Sequence, residues 1–174
     1  MVNAPTTFLW SKNHNHPVQE KLLVQNRKSA FYTLSDEEAL LLYKDRLVDS
    51  ELLYGDVVEV LEVVGEYVKV TVPKQGYKNE PSGYPGWVMA KDLAPMPDGW
   101  SEELKQVAVD QPTATITLTN ETETSQVVSI GTILSVIEDT SDQYNVLTPD
   151  GMGFLAKEDG RVIEDLPVDA AEQL

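Results

Sequence analysis

Cysteine is absent from all 174 residues. That removes disulfide staples, thiolate nucleophiles and cysteine metal sites together. Basic residues are scarce: 13 Lys and Arg stand against 29 Asp and Glu, for a net charge of −16. A field of that sign repels nucleic acid and anionic membrane surfaces, and no Lys/Arg cluster overrides it locally, so neither is expected as a partner. It also repels the polyanionic wall of many bacteria. No stretch of about 18 apolar residues occurs, so no membrane-spanning helix is expected. The N-terminal MVNAPTTFLWSKNHNHP has neither a basic n-region nor an apolar core, so no signal peptide is expected. This points to the cytoplasm; the alternative is an exported protein whose signal has been removed.

Histidine occurs only as His14 and His16. Two imidazoles at that spacing share a metal only on an extended segment, and zinc needs further ligands that no recognised pattern supplies. A polar loop is the expected setting, with no metal and no cofactor. Serine-hydrolase chemistry needs a base and an orienting acid, and no G-x-S-x-G is present. No Gly-rich phosphate loop occurs. Carboxylates are plentiful, but abundance does not place a glycosidase pair. The sequon Asn120-Glu-Thr lacks any secretory context.

The residues that are present read mostly as strand. A hydrophobic fraction of 41% predicts a folded chain. Thr6–Trp10 is β-branched and aromatic, a first strand. Ser11–Asn26 is mostly polar and reads as a long loop. Ser35 followed by Glu38 forms a capping box, which predicts a helix over about Asp36–Lys44. Ala39, Leu42, Tyr43 and Leu47 would form its apolar face. Val68, Val70 and Val72 then alternate with Tyr67, Lys69 and Thr71, the period of a half-buried strand, after a turn at Val64-Gly65-Glu66. Pro95, Pro97 and Gly99 mark a boundary, beyond which TATITLT resumes the alternation.

The second half repeats the first. Gly55-Asp-Val-Val-Glu-Val-Leu-Glu matches Gly131-Thr-Ile-Leu-Ser-Val-Ile-Glu, Tyr67 matches Tyr144, and Gly86-Trp-Val matches Gly153-Phe-Leu. The spacing between the two glycines is 31 residues in the first copy and 22 in the second. The excess falls in the loop 74–85, which makes that loop the place to look for specialised function. Short sheets of about five strands cannot bury one face alone, so they curl and close. The expected fold is therefore mainly β: two small barrels in tandem, the first with a short helical insertion. Residues 1–98 hold the first, with the insert at about 35–47 and the enlarged loop at 74–85; residues 101–165 hold the second; residues 166–174 read as a connector. Trp87 and Phe154 are expected in the cores.

LLYGDVVEVLEVVGEYVKVTVP, followed by GYPGWVMAKDL, resembles the first bacterial SH3-like domain of the NlpC-type γ-D-glutamyl-L-diamino acid endopeptidases, which act on cell-wall peptides. The insert LSDEEALLLYKDRLVDSELLYGD fits that pattern, and Val107–Ile163 resembles the family's second SH3-like domain. The resemblance implies a papain-like cysteine peptidase domain in cis, reached through DLPVDAAEQL and not contained in these residues. By itself the chain would then hydrolyse nothing. It would gate access to the catalytic cleft and help recognise murein peptides with a free N-terminal L-alanine, as in murein peptide recycling. The residue matching the family's amine-binding tyrosine is Tyr84. A phenolic oxygen accepts from an ammonium while the ring excludes water, and Glu80 would add a charge-assisted contact. The alternative is a free-standing module that binds wall fragments or a protein partner. A Pro-rich-peptide groove of stacked aromatics is disfavoured, since only 7% of residues are aromatic.

Overall fold

A computed structural model describes residues 1–13, 16–24, 32–78, 81–119 and 124–165. Two antiparallel sheets follow one another along the chain. The first is built from β1 (Thr6–Trp10), β2 (Val48–Leu53), β3 (Glu59–Val64), β4 (Tyr67–Val72) and β5 (Tyr84–Met89), in the order β2-β1-β5-β4-β3. The second contains β6 (Gln106–Val109), β7 (Thr113–Leu118), β8 (Ser125–Ser129), β9 (Ile133–Asp139), β10 (Gln143–Thr148), β11 (Gly151–Ala156) and β12 (Gly160–Val162). Its order, β12-β6-β9-β10-β11-β7-β8, contains the five-strand arrangement of the first sheet, extended by β6 and β12. The architecture is that of small SH3-like β domains in tandem.

Each sheet wraps its own apolar cluster. Leu9, Leu52, Val68, Val70, Val72 and Val88 fill the first. Val107, Ile116, Leu118, Leu134, Val146 and Leu155 are among those filling the second. The expected alternation holds in β7, where Ala114, Ile116 and Leu118 point inward and the threonines outward. In β5 the same alternation corrects one expectation. Val88, not Trp87, enters the barrel core; Trp87 is half-buried on the opposite face, where it packs with the helices. Phe154 is likewise half-buried, and Leu155 takes the core position.

The repeat is also one residue out of step at its tyrosines. Val70 stands opposite Gly86, and Val146 opposite Gly153, so Tyr67 is equivalent to Gln143 rather than to Tyr144. The two-residue turn between Val64 and Tyr67 is replaced in the second copy by the longer connection between Asp139 and Tyr144. In both copies the glycine serves close approach. A Cβ on Gly86 would stand 2.4 Å from Leu9 Cγ, and one on Gly153 would stand 2.7 Å from Ile116 Cγ2.

Among the described residues, helices Pro17–Val24 and Asp36–Lys44 cover one face of the first sheet. The second of them, α2 (Asp36–Lys44), occupies the expected span. Its capping box is complete: Ser35 Oγ accepts from the Glu38 amide at 3.2 Å, and Glu38 Oε2 accepts from the Ser35 amide at 2.8 Å. The first helix, α1 (Pro17–Val24), lies inside the stretch expected to be loop. Val18 and Leu22 are one turn apart and pack with Trp10 and Leu47, while buried Gln19 donates to the Tyr67 hydroxyl at 3.1 Å. Here burial against the barrel makes a helix from a sequence too polar to announce one.

The barrels share a core residue. Tyr54 follows β2, yet its ring is fully buried within the apolar cluster of the second barrel. Its hydroxyl donates to Asp150 Oδ2 at 2.7 Å. Next to it, Gly55 has φ +88°, and a Cβ there would stand 2.9 Å from Leu134 Cδ2. Lys74 reaches Gln106 Oε1 at 3.1 Å across the same junction.

Candidate functional site

Tyr84 is the first residue of β5, paired with Val72 rather than held in a turn. The enlarged loop returns to it: Tyr77 lies against it with ring centroids 4.9 Å apart. One flank of the Tyr84 ring packs on the barrel core. The other faces an open groove of about 640 Å³, whose walls are Tyr43, Lys44, Arg46, Val48, Asp49 and Tyr84. The helical insertion and the start of β5 therefore meet at one place, the end of α2 supplying one wall and the start of β2 another. Partial burial raises the Tyr84 phenol above its ordinary range, and the Asp49 carboxylate raises it further. The hydroxyl stays protonated and able both to donate and to accept at neutral pH.

The turn that delivers these residues is the C-terminal closure of α2. The Leu47 amide donates to Leu42 O at 3.0 Å and the Arg46 amide to Tyr43 O at 3.1 Å, the paired pattern of a Schellman motif. Arg46 occupies its left-handed position, with φ +47°. A side chain there costs roughly 1–2 kcal/mol relative to glycine. The Ser11 hydroxyl donates to the Arg46 carbonyl and holds the turn against the end of β1.

Three of these residues were not expected at the site from the sequence. Tyr43 falls on the expected apolar face of α2, but it is 81% exposed and lines the groove. Arg46 and Asp49 carry no local motif; only the packing of the α2 closure and the start of β2 beside the start of β5 brings them to Tyr84. Glu80 lies outside the described residues, as do His14 and the connector residues 166–174. His16 is committed to structure: its Nδ1 accepts from the Val18 amide at 3.2 Å, capping α1, and its Nε2 stands 3.6 Å from Asp45. Among the described residues no group of three His, Asp or Glu is placed to hold a metal. No described helix is long and apolar enough to cross a membrane. A second groove, of about 710 Å³, runs between Pro95–Gly99 and the second barrel, lined by Met96, Ile137 and Met152 among others. Its walls lack the converging polar groups that fix a small ligand.

Comparison with known proteins bears on both halves. The sequence profile of the YKFC SH3b2 domain matches residues 109–162. A γ-D-glutamyl-L-lysine dipeptidyl-peptidase of Bacillus cereus (strain ATCC 10987 / NRS 248) is 33% identical over 146 residues, covering 79% of this chain and 43% of the relative. The chain is homologous to part of an NlpC/P60 peptidase. The Bacillus subtilis (strain 168) enzyme of the same description is 28% identical over 123 residues, covering 71% of this chain and 40% of its own length. The crystal structure of an NlpC/P60 family protein from Bacillus cereus ATCC 10987 superposes with a TM-score of 0.76 at 26% identity, over 92% of this chain and 55% of that one. The chain thus spans less than half the length of these curated relatives, and the match extends through both barrels.

Proposed function

We propose that this chain is the non-catalytic, substrate-selecting region of a peptidoglycan-peptide hydrolase, and that the Tyr84 groove holds the free amino end of the peptide. The observation that carries this reading is the pairing of a phenol with a carboxylate, Tyr84 with Asp49, on the wall of an open groove. Together they offer an ammonium one neutral acceptor, one charged acceptor and an aromatic surface that excludes water. The relatives' description supports it: a dipeptidyl-peptidase counts from a free amino end, and such counting needs an amine anchor. In the whole protein a papain-like domain in cis would complete the cleft and supply the nucleophile, with the groove gating access to it. The amino-terminal residue bound there is L-alanine, as in the peptides the resemblance implies. The net charge of −16 favours soluble, recycled murein peptides inside the cell over the polyanionic wall.

The test uses L-alanyl-γ-D-glutamate and its N-acetyl derivative, titrated into the chain while the NMR signals of Tyr84 are followed. The free amine is expected to bind and the acetylated peptide to fail. Tyr84→Phe is expected to weaken binding about tenfold, the equivalent of one hydrogen bond to a charged group, with the thermal midpoint little changed. Equal binding of the two peptides overturns the assignment.

A further inference from the structure

The two barrels differ along one strand. Leu61 in β3 and Ile137 in β9 are each the extra residue of a β-bulge, so Val60 and Glu62 are the equivalents of Val136 and Glu138. In the second barrel β9 lies between β10 and β6. Gln106, Val107 and Ala108 pair with Ser135, Leu134 and Ile133, and the Val136 amide donates to Lys105 O at 2.7 Å. Ser135 and Val136 are buried there, Val136 to 5% exposure. In the first barrel β3 has β4 on one side and stands last in its sheet; among the described residues no strand runs along its outer side. All six of its residues are exposed. Val60 is 58% and Val63 64% exposed, although they stand opposite the core residues Val70 and Val68. With Leu61 and Val64 they form a contiguous apolar strip, and strips of that kind mark contact surfaces.

We propose that the outer edge of β3 is an interaction surface that takes an extended basic segment of a partner protein, laid antiparallel to β3 as β6 is laid along β9. The proposal is independent of the Tyr84 groove. An edge strand presents backbone donors and acceptors that an added strand satisfies. The pattern of β3 sets the side chains of that segment. Val60 and Val63 share one face, opposite Val70 and Val68; Glu59 and Glu62 share the other, opposite Thr71 and Lys69. A complementary segment alternates apolar residues, which cover the valines, with Lys or Arg, which meet the glutamates. The second barrel already pairs charge in this way: Lys105, which leads into β6, holds Asp139 at the end of β9 at 2.9 Å. A second copy of the chain is the poorer occupant. Its β3 would bring two more glutamates to the junction, and each chain carries a net charge of −16.

The experiment titrates the full, isotopically labelled chain with two capped peptides. One is Lys-Val-Lys-Val-Lys-Val; the other, Lys-Lys-Lys-Val-Val-Val, has the same charge and composition without the alternation. The alternating peptide is expected to bind about tenfold more tightly than the block peptide, shifting the amides of Glu59–Val64 and leaving Tyr84 unmoved. Glu59→Lys combined with Glu62→Lys is expected to weaken it about tenfold, through two cross-strand charge pairs. Val60→Pro is expected to abolish binding, because the equivalent Val136 amide is the one that bonds to the neighbouring strand. Should Val60→Pro fail to fold, the double lysine variant, which leaves the backbone alone, decides. Equal binding of the two peptides, or shifts scattered over the acidic surface, reduces the effect to attraction between net charges and overturns the proposal. Full-strength binding by the double lysine variant overturns it too, as does the absence of any shift in the millimolar range. A peptide-free chain that sediments as a dimer with its β3 amides protected from exchange assigns the edge to a second copy and overturns the partner reading.

Discussion

Tyr54 shows how far one residue can act from the strand that precedes it. Its ring belongs to the second barrel's core, and its hydroxyl finds Asp150 at 2.7 Å. Tyr54→Phe keeps the ring and removes only the hydrogen bond. It is expected to cost about 1–2 kcal/mol, measured as a lower urea midpoint with an unchanged slope. A midpoint equal to that of the native protein would mean that water compensates at the exposed Asp150 side. Gly86 works by absence instead: Leu9 occupies the volume that a side chain would take. Both roles depend on partners distant in sequence, which is why the Gly-Trp pair read alone puts Trp87 in the core, where the register of β5 puts Val88.

At the scale of elements, α1 and α2 illustrate opposite sources of helical order. The end of α2 nearest Ser35 is written in the chain: a capping box, three acidic residues in the first turn and Lys44 in the last. Ser35→Ala is expected to cost about 1 kcal/mol, read as faster hydrogen exchange in the α2 amides while the amides of β9 and β10 are unaffected. Uniform loss across both barrels would show that α2 unfolds only with the whole molecule. The helix α1 has weaker credentials. Pro17 at its first turn and the His16 cap are start signals in retrospect, but its ordering comes from Trp10, Leu47 and Tyr67 beneath it. Tyr43 marks the limit of periodicity arguments: it has the spacing of a core position, yet the barrel stops short of it and leaves it to the groove.

For the molecule as a whole, the Tyr54–Asp150 tie makes inter-barrel docking sensitive to alkali. Burial raises the Tyr54 phenol far above its ordinary range, and the neighbouring Asp150 charge acts in the same direction. The folded state therefore holds this proton more tightly than the unfolded chain, whose tyrosines ionise near pH 10. Stability from this group is complete below that pH and declines as pH rises beyond it, by at most about 1.4 kcal/mol per pH unit. Chemical denaturation of the native chain between pH 8 and about 11 is expected to show this decline, and Tyr54→Phe to have a shallower one. Identical slopes would place the alkaline loss at other tyrosines, such as Tyr67, which burial also raises.

Much of the architecture followed from sequence because it depends on near neighbours. Alternation in Thr113–Leu118 and Val68–Val72, the turn at Gly65 and the capping box of Ser35 each involve residues a few positions apart, and such patterns bias the backbone before any tertiary contact forms. The Tyr84 assignment came from resemblance, carried by GYPGWV. The remainder required the fold. Which face of β5 meets the core is set by pairing with β4, where a one-residue shift exchanges Trp87 for Val88. Arg46, Asp49 and Tyr43 lie some 35 to 41 positions before Tyr84, and they converge on it only because β2, β1 and β5 are neighbours in one sheet. Tyr54 enters a core whose other members come from residues 107–162. A chain determines local preference through short-range sterics and hydrogen bonding; the partners of a side chain across the barrel are decided by how the closed sheets pack, and the groove is a consequence of that packing.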